Sequence, residues 1–246
     1  HRDLHSFPTR RSSDLVREDG REDDVFSLIG PKRYDVPWKE LERQGWIATA
    51  VCSEVRLSLQ DEKRVEYALA TQRNRYRLAA ENPDKKDLLE AILERHAKDN
   101  VLVIGQYLAQ LEDVKQRLGA PLITGKTPAR ERDRLYAAFR SGEIRLLVFS
   151  KVGNFAIALP DANVLVQLSG TFGSRQEEAQ RLGRILRPKS DGSAAHFYSL
   201  VTRNSEEMDF AAKRQLFLTE QGYRYTILDA KDFHEAAQGS VGLSRS

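Results

Sequence analysis

From Val101 onward the apolar positions alternate between two regimes. Short continuous runs, Val101–Gly105 (VLVIG), Arg145–Ser150 (RLLVFS) and Val164–Leu168, are the pattern of strands covered on both faces of a parallel sheet. Between them, Leu108–Leu118, a segment from Thr127-Pro128 through Phe139, and Ser205–Gln221 repeat apolar residues every three or four positions, as one-sided helices do. Leu122–Thr124, Ala195–Val201 and Tyr223–Leu228 add further strands, and Thr127 with Pro128 reads as an N-cap followed by a first-turn proline. Strands alternating with helices predict an α/β fold with a mainly parallel sheet flanked by helices.

The earlier part of the chain is patterned differently. Ile47–Leu59 reads as a strand, Asp61–Leu78 as one polar helix, and Leu88, Leu89, Ile92 and Leu93 as the apolar stripe of another that closes at His96. Trp38, Leu41 and Trp46 mark a short amphipathic segment stopped by Gly45. Residues 1–15 are polar and aperiodic and read as a leader, non-native or disordered. Residues 16–46 read as the end of a domain whose body lies upstream, and 230–246 as a polar tail. The expected division is therefore a main unit over 47–229 with a small helical insertion at 61–95.

Composition narrows the class. The chain has 246 residues, 40% hydrophobic and 30% charged, enough for a real core. A net charge of +3 points to no partner by itself, so a nucleic-acid role has to rest on local patches. The single cysteine, Cys52, excludes a disulfide framework and any multi-cysteine metal site, and its apolar neighbours predict a buried strand position. No apolar run approaches the ~20 residues of a membrane helix.

In a parallel α/β sheet, ligands meet the carboxyl ends of the strands. That rule selects Gly105-Gln106, Gly125-Lys126, the loop from Ser150-Lys151 to Gly153, and the stretch before Ser174. From Ser174 to Arg187 the chain reads as a helix on which Gln180, Arg184 and Arg187 share a face at i, i+4 and i+7. Arginines on one face suit phosphate, because each guanidinium is a permanently charged planar fork of donors. Gly183, which costs about 1 kcal/mol relative to alanine in a helix, suggests a close approach to the backbone. The competing reading is a solvated face with Glu177 and Glu178 as surface partners. Arg73, Arg75 and Arg77 around Tyr76 could supply phosphate contacts with base stacking, or simply be a solvated helix face. Thr124-Gly125-Lys126-Thr127 imitates the end of a phosphate-binding P-loop, but position 120 is Ala120, Gly119 is one residue out of register, and the strand falls between the two glycines.

Gln180-Arg181-Leu182-Gly183-Arg184-Ile185-Leu186-Arg187 resembles motif VI of superfamily 2 helicases, and other stretches resemble the XPB-type (xeroderma pigmentosum group B-like) DNA helicases of the bacterial and archaeal branch. Arg17-Glu18-Asp19 is similar to that family's RED motif, and the Ser150 to Gly153 loop with Leu159-Pro160 to its motif V. Phe197 to Leu200 through Tyr223 is similar to the end of its second domain. The resemblance implies a RecA-like second motor domain of an ATP-dependent 3′-to-5′ DNA helicase. It makes Arg184 and Arg187 arginine fingers, places Gln180 beside them at ATP, and gives Gly125, Lys126, Ser150 and Lys151 to the DNA backbone. Residues 61–95 then correspond to a thumb-like insertion that touches DNA through Arg73, Arg75 and Arg77.

The resemblance further implies ATP with Mg, the metal being held by a first helicase domain that carries the Walker motifs, and no metal site in this chain. DNA and that first domain are the expected partners, with room left for a nuclease. The expected location is the cytoplasm, at the nucleoid of a prokaryote, and this chain alone is expected to be inactive. One departure counts against full coupling: the family's motif V carries an aspartate where this chain has Ala158. The alternative is a helicase-like module that binds nucleic acid or protein without ATP.

Overall fold

The computed structural model describes residues 38–150, 162–170 and 194–233, with positions 178, 182, 183, 185 and 192. In chain order the elements are α1 (Trp38–Arg43), β1 (Ala50–Leu57), α2 (Asp61–Leu69), α3 (Gln72–Ala80), α4 (Asp84–Arg95), β2 (Val101–Gly105), α5 (Leu108–Leu118), β3 (Leu122–Ile123), α6 (Ala129–Ser141), β4 (Leu146–Ser150), β5 (Val164–Gln167), β6 (Ala195–Thr202), α7 (Glu207–Glu220) and β7 (Tyr225–Asp229). The strands form one sheet in the order β3-β4-β2-β5-β6-β1-β7. Every pairing is parallel. All carboxyl ends therefore lie along one edge.

Strand periodicity divides the core. Leu102 and Ile104 of β2 face one apolar cluster with Leu147, Phe149, Phe197 and Phe139. Val101 and Val103 face the other, with Val148, Val164, Leu88, Leu89 and Ile92. Successive side chains of a strand point to opposite faces, so five consecutive buried residues need helices on both sides. Cys52 sits in β1, unpaired by any disulfide and fully buried. Burial pushes its thiol up to about 12.

Several boundaries differ from the sequence pattern. The polar segment read as one helix breaks at Ala70 and Thr71, both extended. The break has a packing reason: α2 buries no residue, whereas α3 buries Tyr76, Ala79 and Ala80. A redirected chain lets α3 reach the sheet while α2 stays outside. Within 61–95, α4 is a layer helix with Leu88, Leu89 and Ile92 fully buried. Thr127 is not a helix cap. Its Oγ accepts the Thr124 amide at 2.9 Å, and α6 begins at Ala129 with Pro128 in the cap position. Gly119 ends α5 at φ 63°, a conformation a side chain disfavours. It is therefore a helix terminator ahead of β3, and the P-loop likeness of the following residues is coincidental.

Leu89→Ala should destabilise the domain by about 2–5 kcal/mol, because a fully buried side chain leaves a cavity. Leu69→Ala, on the exposed α2, should stay within about 0.5 kcal/mol of the parent. Denaturant midpoints of the two variants check this.

Candidate nucleotide and nucleic-acid face

The register brings three sequence-selected loops together. Ile123 lies opposite Phe149, and Ser150 lies opposite Gly105. The turn after β3, the end of β4 and the end of β2 are thus neighbours. Gly125 and Lys126 are exposed in a turn closed by the Lys126 amide donating to Thr124 Oγ at 3.2 Å. Ser150 is only 2% exposed, and its Oγ has no hydrogen-bond partner among the described residues. Burial of its side chain leaves the strand end, rather than the hydroxyl, facing the edge.

At the end of β2, Gln106 donates its amide to Ser169 Oγ, and Ser169 Oγ donates to Gln110 Oε1 at 2.7 Å. Gln110 Nε2 in turn donates to the Ala80 carbonyl at the end of α3. A buried chain of three side-chain hydrogen bonds ties β2, the segment after β5, α5 and α3. On the other side Thr202 Oγ donates to the Ala79 carbonyl, and Asn82 Nδ2 donates to the Ser58 carbonyl.

The three arginines of α3 do not act alike. Arg73 is exposed, and Arg77 is exposed and paired with Glu81 at 2.9 Å. Arg75 turns the other way. Its Nη2 donates to the Ala68 carbonyl at 3.0 Å and its guanidinium lies over the Tyr67 ring. It therefore joins α3 to α2 and is not presented with Arg73 and Arg77. Residues two apart on a helix lie about 200° apart, which explains the split. Tyr76 is buried between Tyr107 and Phe210, at ring separations of 6.0 and 5.5 Å, so it is a packing residue. The less buried Tyr107 is the aromatic side chain next to the loop after β2, and nothing in its sequence context marked it.

Two buried charge pairs stand beneath this edge. Lys85 Nζ donates to both carboxylate oxygens of Glu207, at 2.8 and 2.7 Å, and to the Leu168 carbonyl at 2.8 Å. Glu207 also accepts the Thr202 amide at 2.9 Å. Burial holds the Lys85 pKa below its usual value, against the opposing pull of Glu207. The second pair joins Arg214 of α7 to Glu178 at 3.2 Å. Glu178 is fully buried, which corrects its reading as a surface partner. Both cations had a sequence signal. Lys85 falls on the stripe of Leu88, Leu89 and Ile92, and Arg214 on that of Ala211 and Leu218. A charge on an apolar stripe marks a buried partner elsewhere in the chain.

Glu178, Leu182, Gly183 and Ile185 are helical, and Glu178, Leu182 and Ile185 are buried. Gln180, Arg184, Arg187, Lys151 and the Arg17-Glu18-Asp19 stretch lie outside the described residues, as does Ala158. Among the described residues no group of three His, Cys, Asp or Glu side chains could hold a metal ion. No helix there is long and apolar enough to cross a membrane.

The seven-stranded parallel sheet with flanking helices is an α/β arrangement of the RecA-like kind. A point variant of S. cerevisiae Dbp5 solved with RNA and ADP BeF3 superposes on 91% of this chain and 52% of its own, with a TM-score of 0.61 at 15% identity. At that identity the likeness speaks for the fold alone. Residues 41–242 match the family described as ERCC3/RAD25/XPB C-terminal helicase, and the chain belongs to that family. It is 57% identical to the DNA 3'-5' helicase XPB of Kineococcus radiotolerans over 93% of its length, and 58% identical to that of Mycobacterium tuberculosis over 89%. It spans only 41% and 40% of those two relatives.

Replacing Glu207 by Gln removes the charge that opposes the downward shift of Lys85. The Lys85 pKa then falls further below its ordinary 10.5. Between its folded and ordinary values the unfolded chain binds the extra proton, so stability rises with pH across that window. The variant should therefore gain more stability than the parent as pH is raised toward 10, read from denaturant midpoints at a series of pH values.

Proposed function

We propose that this chain is the second motor domain of an ATP-dependent 3′-to-5′ DNA helicase, completing a nucleotide pocket whose floor belongs to a first domain. The observation that carries the reading is the buried stripe of Glu178, Leu182 and Ile185. On a helical period, positions 180, 184 and 187 fall opposite that stripe. That phase is the one a helix would need to present Gln180, Arg184 and Arg187 to a nucleotide.

When bound, ATP supplies the phosphoryl group, and its Mg, held by the first domain, offsets the charge. Arg184 and Arg187 then complete the clamp, since a guanidinium opposite the phosphates stabilises charge that develops in transfer. Gly125 and Lys126, with the strand end at Ser150 and the following Lys151, grip the DNA backbone. Such contacts position a strand without reading its sequence. Arg73 and Arg77 extend the same basic edge over α3, while Arg75 keeps the two helices of that arm together. A domain expected to close on a nucleotide needs a firm frame, and the polar ties under the edge provide one. The name of the two bacterial relatives, DNA 3'-5' helicase XPB, supports polarity and substrate. Yeast and Encephalitozoon relatives, 40% identical, are named as subunits of general transcription and DNA repair factor IIH. A larger assembly and a repair role are thus within reach of this chain too, at the nucleoid of a prokaryotic cytoplasm. Ala158 favours a second reading, a module that docks on nucleic acid or protein without ATP.

This chain alone should hydrolyse no ATP. Joined to a first motor domain, its Arg184→Ala variant should lose about 10³-fold or more in kcat, with DNA affinity unchanged. Turnover by the isolated chain, or loss of DNA affinity in the variant, overturns the reading. Lys126→Ala should weaken DNA binding uniformly across sequences and reduce the slope of log affinity against log salt by about 1, measured by fluorescence anisotropy.

A further inference from the structure

Arg214 is placed against its own chemistry. It lies on the inward stripe of α7, 2% exposed, and a guanidinium stays charged at any working pH. Its Nε and Nη2 both donate to Glu178 Oε1 at 3.2 Å, and its Nη1 donates to Ser199 Oγ at 3.0 Å. Ser199 is a β6 residue lying opposite Gln167 of β5 and Glu54 of β1. The guanidinium therefore anchors the helix carrying Glu178 to α7 and, through Ser199, to the middle of the sheet.

Leu182 and Ile185 already hold that helix against the apolar cluster. Apolar contact is non-directional, so it sets how close the helix lies and only loosely how it is turned about its own axis. Two hydrogen bonds from a rigid fork to one carboxylate oxygen are directional, so they constrain the turn as apolar contact does not. A side-chain tip roughly 6 Å from a helix axis sweeps about 1 Å for every 10° of rotation. A misplacement of that size can cost about 100-fold in rate.

We infer that Arg214 is a positioning residue for phosphoryl transfer: through Glu178 it sets the rotation at which Arg184 and Arg187 are presented. The inference rests on the arginine-finger reading above. It assigns Arg214 no contact with nucleotide or DNA.

The test uses the full two-domain protein. Arg214→Met together with Glu178→Met replaces the pair by apolar side chains of similar length, an exchange often neutral or stabilising for buried ion pairs. The expected result is an unchanged or higher thermal midpoint and a kcat lower by about 100-fold, with KM for ATP and Kd for DNA within about twofold of the parent. Arg214→Lys keeps the charge without the fork, so it serves if the double variant does not fold. It should lower kcat at least about fivefold at a near-parental midpoint. Parental kcat in either folded variant, or activity lost only as the midpoint falls, overturns the inference. Combining Arg214→Lys with Arg184→Ala and Arg187→Ala separates the two readings. In that background the lysine change should alter the single-turnover rate less than about twofold, since a residue acting through others loses its effect when they are gone. A persisting fivefold effect overturns the positioning role. If Arg184→Ala and Arg187→Ala leave kcat intact, the finger reading itself has failed.

Discussion

The ion pair between Lys85 and Glu207 is the constraint on which the carboxyl edge of the sheet depends. Stripping an ammonium and a carboxylate of water costs several kcal/mol each, so such a pair is tolerated only when nearly every remaining donor and acceptor is engaged. Here all three ammonium protons have acceptors, two on Glu207 and one on the Leu168 carbonyl, and the carboxylate takes the Thr202 amide besides. Those contacts bind the start of α4, the residue after β5, the end of β6 and the start of α7 at one point. Shifting any of the four would leave a charge buried and unmatched.

This arrangement explains why the edge is rich in polar side chains yet well packed. The Gln106-Ser169-Gln110-Ala80 chain and the Thr202-Ala79 bond carry the same principle outward to α3 and α5. Directional bonds hold the loops that would meet ligand, while the two apolar clusters hold the sheet from either side. The division of labour suits a domain that has to present a few side chains at a fixed angle to a partner.

Much of the sheet could be read from sequence because its signal is local. Val101–Gly105 is buried at every position, and five apolar residues in a row leave few alternatives. The break at Ala70 and Thr71 could not be read, since the segment 61–78 carries no Gly or Pro to mark it and only the docking of Tyr76, Ala79 and Ala80 on the sheet shows where the chain must turn. Thr127 misled for a related reason. A threonine before a proline suits a cap, but its hydroxyl is taken by the Thr124 amide across the turn. Charge alone groups Arg75 with its neighbours, whereas helical phase turns it to Ala68 and Tyr67. The apolar stripes mark Lys85 and Arg214 but not what they pair with, because their partners lie 122 and 36 residues away along the chain. The stretch from Gln180 to Arg187 is legible through its likeness to a known motif, since its spacing alone leaves a solvated face equally open; Leu182 and Ile185 are buried.

Cys52 is the chain's single cysteine, sealed in β1 with a thiol that burial keeps protonated at ordinary pH. These 246 residues are therefore silent toward maleimide chemistry without any prior removal of sulfur. A thiol introduced at exposed Arg73 would be the accessible one of the two in this chain, so a dye could be placed beside the basic edge. Motion of this domain against a labelled partner could then be followed one molecule at a time.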